Sequence, residues 1–167
     1  MYTVYIVMNT IHPHTTIGHV HLTVSNLEQS LAFYRDILGF TETARYGDSA
    51  VFLSAGGYHH HIALNTWQGI GAMPPPQGHT GLYHFAILFP TRKELAITLQ
   101  KLIDANYPLT GTADHGVSEA LYLNDPDGIG VELYADRPRD MWNVDNDGKV
   151  EMGVDPLDIE SLLNELK

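Results

Sequence analysis

The clearest pattern in the chain is a pair of apolar runs that flank the sequence Asp-Pro-Asp-Gly at positions 125–128. Proline in the second place and glycine in the fourth are typical of a β-turn, so the segment predicts a β-hairpin. In its second strand Glu132 and Tyr134 share one face, and Val131 and Leu133 share the other. A carboxylate in an apolar strand is costly to bury unless a cation or a donor meets it, which makes Glu132 a candidate functional residue.

The first half of the chain combines one predicted strand, one predicted helix and three further strand-like runs. Residues 17–24 alternate as a strand that carries His19 and His21 on one face. Ser25 and Glu28 have the spacing of a helix capping box, and apolar residues then recur at helical spacing as far as Gly39. The further strand-like runs are 41–45, 50–53 and 60–65.

The second half repeats this order after a stretch rich in glycine and proline. A strand at 83–89 carries His84, Thr91 and Glu94 form a second capping-box pattern, and an amphipathic helix follows. Strand-like segments at 109–112 and 119–123 then lead to the hairpin. An internal repeat of about 65 residues predicts two copies of one βαβββ unit, neither of which can bury its apolar face alone.

We therefore predict an α+β fold in which each helix covers one face of its sheet and the other faces form a cleft. The predicted units are an N-terminal arm (1–16), a domain at 17–135 and an acidic tail with a short helix (136–167). Within the domain, modules 17–67 and 82–135 are joined by a linker, 68–81. Residues 145–148 faintly resemble a calcium loop but lack its required acids, so a solvated turn is expected.

Composition narrows the function. A formal net charge of −11 argues against nucleic-acid and anionic-membrane partners, because both favour a basic surface. No apolar run approaches the roughly 20 residues of a membrane span, and the apolar start lacks the basic region of a signal peptide. There is no cysteine, which excludes thiolate metal sites, and a cytoplasmic location is the default expectation. Ten histidines make metal binding a reasonable hypothesis.

His19, His84 and Glu132 are candidate metal ligands. The two histidines stand on corresponding first strands of the modules, and Glu132 stands on the last strand of the second. Two imidazoles and a carboxylate leave open positions on a metal and suit Fe(II), although Mn(II), Zn(II) and Ni(II) are also possible. The alternative is that these are partly buried strand residues bonded to their neighbours.

The paired pattern resembles the vicinal oxygen chelate superfamily, which contains glyoxalases, antibiotic-resistance proteins and extradiol dioxygenases. Its segments here are GHVHLTVSNLEQSLAFYRDILGF, YHFAIL and DPDGIGVELY, which together span most of residues 17–135. The resemblance implies that the two modules pair their curved mixed sheets into one open barrel around a metal cleft. Within the superfamily the chain is most similar to extradiol enzymes of the catechol 2,3-dioxygenase type.

The resemblance also implies roles for individual residues. His19, His84 and Glu132 match the metal ligands of the dioxygenases. His60 matches an acid–base residue, although it stands in a run of three histidines and the role could belong to His61. The other two matches are to active-site residues that hold substrate oxygens: His115, within His-Gly-Val-Ser, and Tyr122, ten residues before Glu132.

The resemblance implies an Fe(II)-dependent ring-cleavage dioxygenase that opens a small aromatic diol with O₂. A glyoxalase-type Zn(II) or Ni(II) enzyme would be expected to carry a fourth ligand on the last strand of the first module, where Ala63 stands. A non-catalytic binding protein of the same fold is the third alternative. Many extradiol enzymes carry four modules and this chain carries two, so a homodimer or higher oligomer is expected, with modules paired within or between chains.

Overall fold

The computed structural model describes residues 10–76 and 78–167. They form two four-stranded sheets, with strand orders β1-β4-β3-β2 and β5-β8-β7-β6. The α+β class predicted above is confirmed, whereas most of the predicted N-terminal arm lies outside the described residues. The strands of the two sheets are β1 (Val20–Thr23), β2 (Thr41–Tyr46), β3 (Ala50–Ser54), β4 (Ile62–Asn65), β5 (His84–Phe89), β6 (Gly111–Asp114), β7 (Ser118–Asn124) and β8 (Gly130–Asp136).

The two sheets have the same connectivity, as the internal repeat predicted. In each sheet the first strand pairs in parallel with the fourth, and the remaining pairs are antiparallel. A parallel neighbour requires a crossover connection, and the helix of each module lies within it. These helices are α1 (Leu27–Leu31), which continues as a π-helix (Ala32–Ile37), and α2 (Arg92–Asp104).

The first helix begins one residue later than the capping-box pattern predicted. Asn26, rather than Ser25, is its N-cap, and Asn26 Oδ1 accepts hydrogen bonds from the backbone N–H groups of Glu28 and Gln29. Asparagine caps as well as serine does, and the S-x-x-E pattern does not distinguish the two neighbours. Gly39 follows the helix at φ +90°, a left-handed conformation that glycine adopts without strain.

The predicted hairpin between β7 and β8 is confirmed. Gly128 N–H donates to the Asp125 carbonyl at 3.0 Å, and Asp125 Oδ1 accepts from the N–H groups of Asp127 and Ile129. The other carboxylate oxygen of Asp125 accepts from the buried Tyr34 hydroxyl at 2.9 Å. Burial raises the pKa of both Tyr34 and Asp125 above their ordinary values. The Tyr34–Asp125 hydrogen bond therefore connects the turn of the second module to the helix of the first.

Each sheet has one covered face and one open face. On the covered faces the strands and helices bury a continuous apolar core that includes Leu31, Leu64, Leu95, Leu121 and Leu133. On the open faces His19, His21 and Thr23 are exposed in the first module, and Ala86 and Leu88 are exposed in the second. Alternation along each strand produces this division, because successive side chains point to opposite faces.

The C-terminal tail packs against the second module. Its helix α3 (Ile159–Leu163) is shorter than the predicted 157–166, and the last turn, Asn164–Leu166, is a 3₁₀ helix. Leu162 is fully buried, and Arg92 of α2 donates to the Ser161 carbonyl and to Glu165. Across the described residues, no helix is both long enough and apolar enough to cross a bilayer.

Candidate active site

Four predicted site residues form one chain of polar contacts on the open face of the second sheet. Tyr122 and Glu132 are direct cross-strand partners, and the Tyr122 hydroxyl lies 3.2 Å from Glu132 Oε1. The other carboxylate oxygen lies 3.0 Å from His84 Nε2, while His115 Nε2 lies 2.7 Å from the Tyr122 hydroxyl. The β-ladder sets this arrangement, because facing residues of paired strands project to the same side.

The carboxylate of Glu132 is largely buried and depends on these neighbours. Its side chain is 13% exposed, so it needs a donor or a cation to compensate for lost hydration. Burial and this carboxylate raise the pKa of Tyr122 to about 12. Tyr122 therefore keeps its proton at neutral pH and can act as a donor.

A cavity of about 600 Å³ opens beside this chain of residues. This is within the usual size range of small-molecule sites. His84, Tyr122 and His115 contribute polar groups to its wall, and the backbone of β6 forms another side. Val154 of the C-terminal tail also lines it. One cavity with three convergent polar side chains is suited to a small ligand that carries hydroxyl groups.

His19 and His60 form a separate cluster on the first sheet. Their rings lie 4.4 Å apart between centroids, and His59 Nδ1 lies 2.7 Å from His60 Nδ1. Partial burial and the imidazoles of His19 and His59 lower the pKa of His60, so it is neutral at pH 7. His61 instead contacts Ser54 Oγ through Nδ1 at 3.1 Å. Of the two candidates, only the His60 ring lies against the ring of His19.

The predicted site residues are therefore divided between two half-sites. We call His19 with His60 the first half-site, and His84 with Glu132, Tyr122 and His115 the second. Among residues 10–76 and 78–167, no three His, Asp or Glu side chains are close enough to hold one metal ion. His84 and Glu132 fit two positions of a metal's coordination shell, and within one chain His19 is not gathered with them.

Sequence reasoning missed the contribution of the tail to this site. The Gly153 carbonyl accepts from His115 Nδ1 at 2.7 Å, and Val154 reaches the cavity. A backbone carbonyl has no sequence signature, and the segment around it has no periodicity that predicts a strand. Only the folded chain brings this segment next to His115.

The fold is that of a known class of proteins. Residues 16–133 match the model of the Glyoxalase/Bleomycin resistance protein/Dioxygenase superfamily. The match covers more than half of the chain, and the chain belongs to this superfamily.

Relatives within the superfamily include ring-cleaving enzymes. The chain is 46% identical over 158 residues to catechol-2,3-dioxygenase of Bacillus subtilis (strain 168), covering 95% of this chain and 54% of that protein. It is 32% identical over 120 residues to biphenyl-2,3-diol 1,2-dioxygenase 3 of Rhodococcus globerulus, covering 72% of this chain and 63% of that protein. The chain thus spans about half to two thirds of the length of these relatives.

A solved structure supports the same fold. A glyoxylase/bleomycin resistance protein/dioxygenase domain from a Frankia species superposes with a TM-score of 0.61 at 28% identity. The superposition covers 74% of this chain and 98% of that domain. The shared portion is therefore nearly the whole of that domain.

Proposed function

We propose that this chain is an extradiol dioxygenase that opens a catechol-type ring with O₂. One observation carries the proposal: His84, Glu132, Tyr122 and His115 form a continuous chain of polar contacts, and all of them except Glu132 line one cavity. The 46% identity with a catechol-2,3-dioxygenase over most of this chain supports the same reaction class.

The metal in this proposal is Fe(II), held by His19, His84 and Glu132. A nitrogen and oxygen donor set without sulfur is suited to Fe(II), and it also accommodates Mn(II), Zn(II) and Ni(II). When bound, the metal would supply Lewis-acid and redox chemistry for the diol and O₂. Three protein ligands would leave coordination positions on the metal for both the diol and O₂, as this chemistry requires.

The remaining residues bind the substrate and move protons. Tyr122, with a pKa of about 12, donates a hydrogen bond to a substrate oxygen across the working pH range. His115 supports the Tyr122 hydroxyl from the opposite side at 2.7 Å. His60, neutral at pH 7, accepts a proton from a diol hydroxyl and returns it later, a role worth about 10²–10⁴-fold in rate.

A second copy of the chain completes the site in this proposal. His19 and His60 lie on the open face of one sheet, and the rest of the set lies on the open face of the other. In a two-fold dimer, the first half-site of one chain faces the second half-site of its partner, and both sites are completed together. Leu88, an apolar side chain on the open face of the second sheet, is 52% exposed and is suited to such burial. A cytoplasmic location is part of the same proposal.

Reconstitution tests the reaction class. The chain is loaded anaerobically with Fe(II), then given catechol and air while the visible spectrum is recorded. A yellow semialdehyde product supports the proposal. A colourless reaction with iron bound in stoichiometric amount contradicts it, and activity on a glutathione hemithioacetal with Zn(II) or Ni(II) would replace it with a glyoxalase-type function.

Subunit complementation tests how the site is assembled. His19→Ala and Glu132→Ala chains are each inactive in this proposal, but a mixed dimer holds one site whose residues are all intact. Random mixing should therefore restore about a quarter of the wild-type activity. A mixture that stays inactive contradicts a shared site. His12→Ala, which removes an exposed histidine outside both half-sites, is the matched control and should remain fully active.

A further inference from the structure

The tail segment 151–155, which we call the strap, runs antiparallel to the edge of the second sheet. Asp114 and Asp155 exchange two backbone hydrogen bonds of 2.8 and 2.9 Å. Gly153 N–H donates to the His115 carbonyl at 3.1 Å. The strap therefore extends the sheet beyond β6 and places its backbone directly beside His115.

The strap is held at both ends. Before it, Trp142 Nε1 donates to the Arg137 carbonyl at 2.8 Å. After it, Leu162 is fully buried and Arg92 holds the Ser161 carbonyl at 3.1 Å. Arg92 and Arg137 both bind the buried carboxylate of Glu119, at 2.6 and 2.7 Å. These contacts anchor the strap to the strands that carry the site.

The strap also determines which nitrogen of His115 carries a proton. A carbonyl can only accept a hydrogen bond, so Nδ1, at 2.7 Å from the Gly153 carbonyl, is the protonated nitrogen. Nε2 then faces the Tyr122 hydroxyl at 2.7 Å. In a neutral ring Nε2 can only accept, so the single proton of the Tyr122 hydroxyl goes to Nε2, to Glu132 Oε1 at 3.2 Å or to a bound ligand, one at a time.

Val154, between the two paired strap residues, projects into the cavity rather than into the core. It is 81% exposed and lines the same cavity as His84 and Tyr122. Because neighbouring side chains alternate in an extended segment, the pairing that places the Gly153 carbonyl also orients Val154. One short segment therefore contacts both the proton-carrying histidine and the space for the ligand.

We propose that the strap is part of the active site: the Gly153 carbonyl is a positioning group that fixes His115 as the Nδ1–H tautomer, and Val154 limits the size of the diol. The second part rests on the proposed function, whereas the first part can be tested without turnover. The strap then gives the C-terminal tail a role in proton transfer and specificity.

The tautomer is tested by long-range ¹H–¹⁵N NMR of the imidazole rings in the metal-free full chain at alkaline pH, where imidazoles are neutral. Wild type should show a protonated Nδ1 and a bare Nε2. Gly153→Pro removes the N–H that pairs with His115, displaces the carbonyl and should give a mixture of tautomers. Gly153→Ala keeps the carbonyl, and its Cβ would lie an ordinary 3.4 Å from Asp155 Oδ2, so it should match wild type. A bare Nδ1 in wild type, or no change in a folded Gly153→Pro chain, overturns the positioning role.

Specificity is tested on the Fe(II)-loaded chain with catechol and biphenyl-2,3-diol. Val154→Phe should lower kcat/KM for the larger diol about tenfold relative to catechol, mainly through KM. Val150→Phe changes another exposed valine of the tail and should leave the ratio unchanged. Equal effects of Val154→Phe on both diols overturn the specificity role. If wild type opens neither diol, the proposed function fails, and the NMR result still decides the role of Gly153.

Discussion

Ala63 and Glu132 occupy equivalent positions in the two sheets. Ala63 on β4 pairs with His21 and Phe52, and Glu132 on β8 pairs with Ala86 and Tyr122. From this position Glu132 reaches the histidine at the start of β5, at 3.0 Å. A side chain at position 63 would reach His19 in the same way, but alanine has no donor atom to offer. The first sheet therefore contributes an imidazole and no carboxylate.

Ala63→Glu should convert the donor set from three groups to four. Ala63 is fully buried, so a carboxylate there should lower the melting temperature of the metal-free chain. Zn(II) or Ni(II) should raise the melting temperature again by binding the folded state. Dioxygenase activity should be lost because an open metal position is filled.

Calorimetry with and without metal, together with the oxygen-dependent assay, checks this prediction. Ala32→Glu, at an exposed position of the helix in the same module, is the control and should alter neither property. Full activity in a folded Ala63→Glu chain would contradict the structural equivalence of Ala63 and Glu132.

Tyr122→Phe should lower kcat by about 10²-fold or more, because it removes the donor between His115 and Glu132. Since the pKa of Tyr122 is about 12, the wild-type rate should show no inflection from this group between pH 6 and about 10. Rate profiles of both chains against pH provide the measurement.

Tyr134→Phe is the matched control, because Tyr134 lies on the same face of β8, two residues from Glu132. It removes the same atom, and its activity should stay close to wild type. A comparable loss in both variants would mean that the Tyr122 hydroxyl has no special role.

Tyr34→Phe should lower the free energy of unfolding by about 1–3 kcal/mol, because it deprives the buried Asp125 carboxylate of a donor. The folded-state pKa of Asp125 is already raised by burial, and losing this hydrogen bond raises it further. A carboxyl with a raised folded-state pKa favours folding at low pH and loses that contribution as the pH rises through this pKa. The difference between the two chains should therefore be largest near neutral pH and shrink as the solution becomes acidic.

Urea unfolding at several pH values measures this difference. Tyr46→Phe, at a residue that is 70% exposed, should be neutral throughout. If the loss of unfolding free energy in Tyr34→Phe does not depend on pH, Asp125 is not the group whose protonation produces it.

Glu119→Gln should weaken the attachment of the tail. Glu119 is 6% exposed and accepts from both Arg92 and Arg137, and charge-assisted hydrogen bonds of this kind contribute about 1.5–3 kcal/mol. We expect a loss of that order in unfolding free energy and faster hydrogen exchange at the strap. Asp36→Asn, in the exposed pair with Arg35, should lower the unfolding free energy far less, because solvent screens exposed ion pairs.

Much of the fold follows from the sequence alone, since its information is local. Alternation predicted the strands that carry His84 and Glu132, and Asp125 to Gly128 predicted the hairpin, because both patterns depend only on neighbouring residues. The repeat predicted two modules of equal connectivity. The same local patterns predicted the ends of helices and strands less accurately. The first helix is capped by Asn26 rather than Ser25, and β1 begins at Val20, just after His19.

The tertiary structure decided which of these residues meet. The resemblance implied that Tyr122 and Glu132 belong to one active site, and strand pairing brings their side chains to 3.2 Å. The separation of His19 from that pair and the contact of Gly153 with His115 depend on how modules and tail pack. That packing is governed by the burial of apolar surface summed over many residues far apart in the chain, which no short motif records. The sequence by itself determined the chemical groups and the modules that carry them, and the packing determined how those groups are divided between two faces.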